Sequence, residues 1–243
     1  MIPRRSAWLP VAGVVVAFAY FLAAPALPAL PAGDVTVLVA GGLGLVLVAT
    51  TTLSLLPLRD GVVSVVLVLV ASGLVMGGLD VGGVGAGANV FEALVAAAVG
   101  LLFARALNTA AVAVAVPVFV ALVDVWSVAT GPSSQLLAGG TPASDPLSFD
   151  LPAWGSMGSA GHVGLSDAIF LAMFAAWAWA HGLRRAATIA GLVCGLIASL
   201  LLGVALKRAI PALPLLAAGY LLPNADLIAP LLRGARARPD APS

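Results

Sequence analysis

The chain is a succession of apolar segments separated by short polar turns. Eight segments of about 20 residues are long enough for a helix to cross a lipid bilayer. They cover residues 8–30, 35–57, 61–79, 86–104, 107–130, 162–182, 186–206 and 209–231. One long connection, 131–161, is rich in Gly, Pro, Ser and Asp and is predicted to lie outside the membrane. The pattern therefore predicts an all-α, polytopic bundle of eight transmembrane helices.

Composition agrees with a membrane protein and narrows its chemistry. Hydrophobic residues make up 62% of the chain and charged residues only 9%, whereas about 25% of a soluble domain is charged. The net charge of +1 gives no reason to expect a nucleic-acid partner. Cys194 is the only cysteine, so no internal disulfide can form, and the two histidines give no metal-ligand spacing with it. We expect neither a metal nor a cofactor.

The basic residues indicate an orientation. If the amino terminus lies in the cytoplasm, eight spans place nine arginines inside and only Lys207 and Arg208 outside. Cytoplasmic loops are expected to carry such an excess. The same orientation places the 131–161 connection, with Asp145 and Asp150, on the outer side. The nine inside residues are Arg4, Arg5, Arg59, Arg105, Arg184, Arg185, Arg233, Arg236 and Arg238.

Two aspartates lie inside apolar segments, Asp124 in the fifth and Asp167 in the sixth. An ionised carboxylate in hydrocarbon costs roughly 2.5–3.5 kcal/mol even on a lenient insertion scale, so such residues indicate function. Asp124 lies about six residues before one segment ends and Asp167 about five after the next begins, so both are predicted roughly 8–9 Å below the same face. The sequence Pro211-Ala212-Leu213 opens the eighth segment at that face too.

These three motifs, in this order, resemble those of the presenilin and signal peptide peptidase family of intramembrane aspartyl proteases. The family carries an aromatic-Asp motif, then Gly-x-Gly-Asp, then Pro-Ala-Leu on its last helix. Here Asp124 occupies the first position, Gly164-Leu165-Ser166-Asp167 the second and Pro211-Ala212-Leu213 the third. The resemblance covers roughly residues 115–223, and the sequence after the last motif looks like that of archaeal members.

Two positions depart from the family pattern. Val123 replaces the usual aromatic residue before the first aspartate, and Ser166 replaces the glycine directly before the second. Serine is nearly as small as glycine and has a hydroxyl that could hydrogen-bond the Asp167 carboxylate. The change at Ser166 therefore leaves open a homologue with altered or lost activity.

The resemblance implies a presenilin-like bundle, for which nine helices are usual, in an archaeal plasma membrane. It implies scaffold helices in residues 1–106, a catalytic core in 107–232 and a short polar tail in 233–243. Asp124 and Asp167 would be the catalytic pair that hydrolyses a transmembrane peptide within the lipid bilayer. They would share one proton, because like charges about 3 Å apart cannot both be ionised.

The proline-framed motif has an implied role of its own. Pro211 and Pro214 have no N–H group, so the amides of Ala212 and Leu213 are predicted to stay outside regular helix pairing. The resemblance implies that this loop presents an unwound substrate segment to the aspartates, in the manner of strand addition.

Other interpretations remain open. Asp124 and Asp167 could each pair with a polar group and fix helix register. A small proton-coupled transporter would also carry intramembrane acids and interrupted helices, although the chain shows no convincing internal repeat. A family member without catalysis could bind membrane proteins, and Ser166 favours that alternative. The other acids in apolar surroundings, Asp80 and Glu92, are predicted to be interfacial.

Overall fold

Helices make up most of the computed structural model, which describes residues 8–130, 148–208 and 210–236. Arg4, Arg5, Arg238, Asp145 and most of the predicted tail 233–243 lie outside the described residues. The strands are β1 Ser148–Pro152 and β2 Ser159–Gly164. The helices are α1 Trp8–Ala23, α2 Asp34–Thr36, α3 Gly42–Ser54, α4 Val62–Val81, α5 Gly85–Ala106, α6 Ala110–Thr130, α7 Leu165–Ala180, α8 Arg185–Leu206, α9 Leu213–Leu221 and α10 Ala225–Arg236.

Six of the predicted segments form helices long and apolar enough to cross a membrane. The first and sixth predicted segments form shorter apolar helices, Val11–Ala26 and Leu165–Ala180. Within the described residues, length and composition thus agree with an integral membrane protein that has six candidate spans. Those spans are Asp34–Leu58, Val62–Val81, Gly85–Ala106, Ala110–Thr130, Arg185–Leu206 and Leu213–Arg233.

Helix α7 is the most deeply buried part of the bundle. Its residues 171–178 are buried on every side, as expected of a helix that is apolar all round. Helix α5 packs directly along it, since a Cβ on Gly100 would meet the backbone carbonyl of Ile169. Trp177 Nε1 on α7 also donates to the Ala104 carbonyl of α5 over 3.0 Å. By contrast, α4 and α6 keep large apolar side chains exposed, as on a lipid-facing surface.

The prediction of an all-α chain is wrong in one place. Strands β1 and β2 form an antiparallel hairpin in which Phe149 pairs with Val163, and both of these side chains are buried. Residues 162–164, which were predicted to begin the sixth span, belong to β2, and the helix starts only at Leu165. Alternation of buried and exposed side chains along β1 gives the hairpin one buried face, which is the usual reason that an antiparallel pair is stable.

The last predicted segment, 209–231, is not one continuous helix. It divides into α9, a 3-10 turn at Leu222–Asn224 and α10. Pro223 lies in the turn, where its missing N–H group removes a helical hydrogen bond. The buried Asn224 stabilises the break, because its Oδ1 accepts from the Arg184 amide at 2.9 Å and its Nδ2 donates to Thr188 Oγ1 at 2.8 Å.

The connecting turns gather at two opposite ends of the bundle. At the hairpin end, which holds the hairpin and the starts of α2 and α9, Lys207 forms an ion pair with Asp34. At the arginine end, Arg105 donates to the Asp60 carbonyl over 3.1 Å. The arginine end comprises the turns that follow α3, α5 and α7 and carries Arg59, Arg105, Arg184 and Arg185. The predicted separation of basic residues is therefore visible among the described turns.

Candidate active site

Asp124 caps the helix that follows the proline-framed motif. It lies on α6, and its half-buried side chain reaches the first residue of α9, where Oδ2 accepts the Leu213 amide at 3.0 Å. The first amides of a helix have no partner within the helix, so a carboxylate placed there satisfies one of them. The favourable end of the helix dipole adds to this contact.

Asp167 occupies the corresponding place at another helix start. It is the third residue of α7, and the Gly164 amide donates to its carboxylate. This is the pattern in which an acidic residue in the first turn reaches back to the residue before the helix. The carboxylates of both aspartates therefore lie at helix amino termini, Asp124 at that of α9 and Asp167 at that of its own helix, which are the positions where a helix favours negative charge.

The start of α9 lies where the two aspartates approach each other. Helix α9 packs against α6, α7 and α8, whereas α6 and α7 touch each other only slightly. The Asp124 and Asp167 carboxyl groups are close enough to interact electrostatically. The structure therefore brings both aspartates and the Pro211–Leu213 motif to the hairpin end of the bundle.

A cavity of about 410 Å³ opens at this end and has Asp167 in its wall. Ala212, from the proline-framed motif, and Val163, from β2, line the same space. Asp124 is not among the described residues that line the cavity. Its carboxylate instead contacts the Leu213 amide of the proline-framed motif. Most of the remaining wall is apolar, but four charged or titratable residues also line it and offer polar contacts to water, namely Asp34, His162, Lys207 and Arg208.

The motif around Asp167 explains why glycine stands at 164. A Cβ there would lie 3.2 Å from Asp167 Oδ2, so glycine leaves room for the carboxylate to fold back onto its own chain. Leu165 is half-buried and Ser166 is exposed. Within the described residues, Ser166 makes no hydrogen bond to Asp167. The hydroxyl that replaces the family glycine therefore does not hold the carboxylate in this structure.

The proline-framed loop differs from the prediction in one contact. The Leu213 amide lies outside regular helix pairing, as the prolines predict, yet it is occupied by Asp124. The Ala212 carbonyl accepts the Leu215 and Leu216 amides at 3.1 and 2.9 Å, which closes the first turn of α9. Presenting the Leu213 amide to a substrate strand would require the bond to Asp124 to open.

Several residues that hold this end together were missed by the sequence reasoning. Trp154 Nε1 donates to the Tyr20 hydroxyl over 3.0 Å, and that hydroxyl donates to the Ala40 carbonyl over 2.9 Å. Asn89 Nδ2 donates to the Asp150 carbonyl over 2.8 Å and ties β1 to α5. A buried Tyr or Trp usually finds a hydrogen-bond partner, so these two aromatic residues were a usable signal.

The remaining acids do not join the Asp124–Asp167 pair. Asp80 is exposed and Glu92 is half-buried on α5, close enough to interact electrostatically with Asp80 and Asp150. His162 Nδ1 contacts Asp150 Oδ1 at 2.5 Å, with both side chains more than half exposed. In the part of the chain that the structure describes, no group of three or more His, Cys, Asp or Glu side chains could hold a metal ion.

Comparison with known proteins adds no family. No protein-family model, no curated protein and no solved structure matches the chain. The function must therefore be argued from the geometry of the site and from the three motifs.

Proposed function

We propose that this protein is an intramembrane aspartyl protease of the presenilin and signal peptide peptidase type. The observation that carries the proposal is the placement of two carboxyl groups. Asp124 and Asp167 come from separate apolar helices, approach each other at the start of α9, and lie beside a largely apolar cavity that has several charged residues in its wall. Motif order and spatial arrangement thus point to the same pair of residues.

The proposed chemistry uses one proton between two carboxyl groups. An ionised carboxylate removes a proton from a water molecule as that water attacks the scissile carbonyl. The protonated partner donates to the carbonyl oxygen, so charge does not accumulate on it. The roles of Asp124 and Asp167 alternate as the tetrahedral intermediate collapses and the amine leaves. Water and substrate would meet in the cavity that Asp167 lines.

The substrate would be a transmembrane peptide that has locally unwound. An unwound segment in a membrane needs new partners for its backbone N–H and C=O groups. Strand β2 leads directly into α7, and its residues His162 and Val163 line the cavity. A two-stranded sheet leaves an unpaired backbone edge on each strand, so an extended substrate in the cavity could pair with β2. The hairpin would thus deliver the scissile bond to Asp167.

The finer features of the fold belong to the same proposal. We propose that the two shorter apolar helices, Val11–Ala26 and α7, also cross the bilayer, which gives eight spans, with nine the family norm. Residues 107–232 would then form the catalytic core on the scaffold of 1–106, in an archaeal plasma membrane. In support of α7, β2 continues the chain directly before the start of the helix, and two of its side chains, Ala160 and Val163, are buried.

The proposal is tested with purified protein in proteoliposomes that contain a panel of transmembrane peptides. Mass spectrometry should find new termini inside the apolar part of at least one peptide. A peptide analogue with a secondary alcohol in place of the scissile amide carbonyl should block that cleavage, because it resembles the tetrahedral intermediate. Cleavage that persists at saturating analogue, or that falls only in polar flanks, would contradict the proposal.

A catalytically inactive homologue is the second candidate, and one observation favours it. Asp124 accepts the first amide of α9 and Asp167 accepts the amide of Gly164, directly before α7, so each has a structural role that needs no catalysis. Such a protein would bind transmembrane peptides in the same cavity without cutting them. Ser166→Gly separates the two candidates. Cleavage that appears only in this variant would identify the parent as inactive, whereas cleavage by the parent itself supports the protease.

A further inference from the structure

Two arginines stack on one tryptophan at the arginine end, away from the candidate active site. Trp179 lies near the end of α7, with the Arg59 guanidinium 5.6 Å and the Arg185 guanidinium 5.3 Å from its ring centre. Arg59 lies in the turn after α3 and Arg185 begins α8, so two helices and one turn contribute to the cluster. Each cation is attracted to the electron-rich face of the indole.

The cluster carries more positive charge than its own acids neutralise. Arg59 contacts Asp60 Oδ2 at 3.3 Å, and Arg105 binds only the backbone carbonyl of Asp60. Among the described residues, no acid pairs with Arg185, and its side chain is exposed. The neighbouring Arg184 differs, since Asp226 holds it with two bonds of 2.7 Å. Arg59 is partly exposed and Arg185 is exposed, and both guanidinium groups converge on Trp179. Among the described residues, Asp60 is the one carboxylate that pairs with either of them.

The position of Trp179 indicates which anion is available to bind the two arginines. Tryptophan at the end of an apolar helix is typical of the membrane interface, where lipid headgroups lie. The anion present there at high concentration is the phosphate of phospholipids. The planar guanidinium fork matches two phosphate oxygens, and stacking on an indole holds the fork in place.

We propose that Arg59, Trp179 and Arg185 form a binding site for the phosphate group of an anionic phospholipid. The lipid phosphate need not displace a protein contact. The Arg185 guanidinium keeps N–H donors available, and Asp60 neutralises only part of the positive charge of Arg59 and Arg185. The lipid phosphate bridges the turn after α3 and the start of α8 at the end of α7. This site lies at the opposite end of α7 from Asp167, so it is independent of the proposed catalysis.

Arg233 provides a matched control for general attraction to a negative membrane. It is also an exposed arginine, yet among the described residues it stacks on no aromatic ring. Charge alone would make Arg185→Gln and Arg233→Gln equivalent. A specific binding site predicts that only Arg185→Gln weakens lipid binding.

The test titrates the full-length detergent-solubilised protein with short-chain phosphatidylglycerol, phosphatidylcholine or inorganic phosphate and follows the thermal unfolding midpoint. Phosphatidylglycerol should raise the midpoint saturably in the parent and in Arg233→Gln. Arg185→Gln should bind it about tenfold more weakly, consistent with the loss of a charged hydrogen-bonding partner. Phosphatidylcholine and inorganic phosphate should give much smaller shifts at equal concentration.

Four outcomes would overturn the proposal, the last of them in a substitute variant. Equal weakening in Arg185→Gln and Arg233→Gln would mean general electrostatic attraction. An equal shift with phosphatidylcholine would mean that the anionic charge is not recognised, and an equal shift with inorganic phosphate would mean a free-phosphate site. If Arg185→Gln does not fold, Arg185→Lys replaces it, since lysine keeps the charge but loses the fork, and unchanged affinity there would also contradict the site.

Discussion

Gly219 lies at a backbone contact that positions the candidate active site. It is on α9 and faces Gly191 on α8, and a Cβ on Gly219 would meet the carbonyl group of Gly191. The same Cβ would lie 2.9 Å from the Leu192 amide nitrogen, whereas ordinary contacts are 3.4–4 Å. The atoms that it meets are backbone on both sides, so no side chain can rotate away. Gly219→Ala must therefore push α8 and α9 apart.

The size of the effect follows from these distances. A displacement of about 0.5–1 Å forfeits a quarter to a half of the dispersion attraction between the contacting surfaces. Overpacking of this kind typically costs about 1–3 kcal/mol in the free energy of unfolding. Leu213 begins the same helix, and its 3.0 Å bond to Asp124 is lost once the separation exceeds about 3.5 Å. Gly219→Ala should therefore lower stability and also release Asp124.

The assay compares Gly219→Ala with Gly77→Ala in thermal unfolding and in peptide cleavage. A Cβ on Gly77 in α4 has no atom within 4 Å, so this control should keep the parent's activity. Its stability should be unchanged or higher, because glycine inside a helix costs about 0.5–1 kcal/mol relative to alanine. If Gly219→Ala unfolds at the same midpoint as the parent and Gly77→Ala, then α8 and α9 are not in backbone contact and the reasoning fails.

Substitutions at three further positions test other contacts. Asp124→Ala should lower the free energy of unfolding by about 1–3 kcal/mol, because the buried Leu213 amide loses its acceptor, whereas Asp124→Asn should lose less; equal midpoints for both variants would count against the cap. Trp154→Phe removes the donor to the Tyr20 hydroxyl, so hydrogen exchange of the β1–β2 amides should speed up while the α7 amides stay protected. Burial lowers the pKa of His181 from its ordinary 6.5, so the unfolded chain takes up a proton first as the pH falls. The unfolding midpoint should drop between pH 7.5 and 5.5, and His181→Phe should reduce that drop.

Hydropathy predicted where the helices lie because an apolar segment in a bilayer must satisfy its backbone within a helix. The same criterion could not reveal the hairpin. Residues 148–164 are short, rich in Gly and Ser, and are held by contacts with distant residues such as Asn89 and Tyr20. Pro223 in the sequence was consistent with a break in the last segment, but the apolar residues on both sides of it made the segment look like one continuous span.

The placement of both aspartates at one end of the bundle could be predicted from helix parity, which needs only the number of crossings between two positions. The hydrogen-bond partners could not be predicted in this way. Whether Asp124 contacts the Leu213 amide depends on the path of the loop before α9, and a shift of one residue would present a different amide. The ion pair between Lys207 and Asp34 likewise joins turns that lie far apart in sequence.

The most direct test of the shared proton is the cleavage rate of three variants, Asp124→Asn, Asp167→Asn and the double substitution, on one transmembrane peptide in proteoliposomes. Residues that act as one catalytic unit are strongly non-additive, so removing either should cost as much as removing both. We expect all three variants to show the same residual rate, with thermal unfolding confirming that each is folded. A single variant that cleaves well above the double variant would show that the two carboxyl groups do not work as a pair.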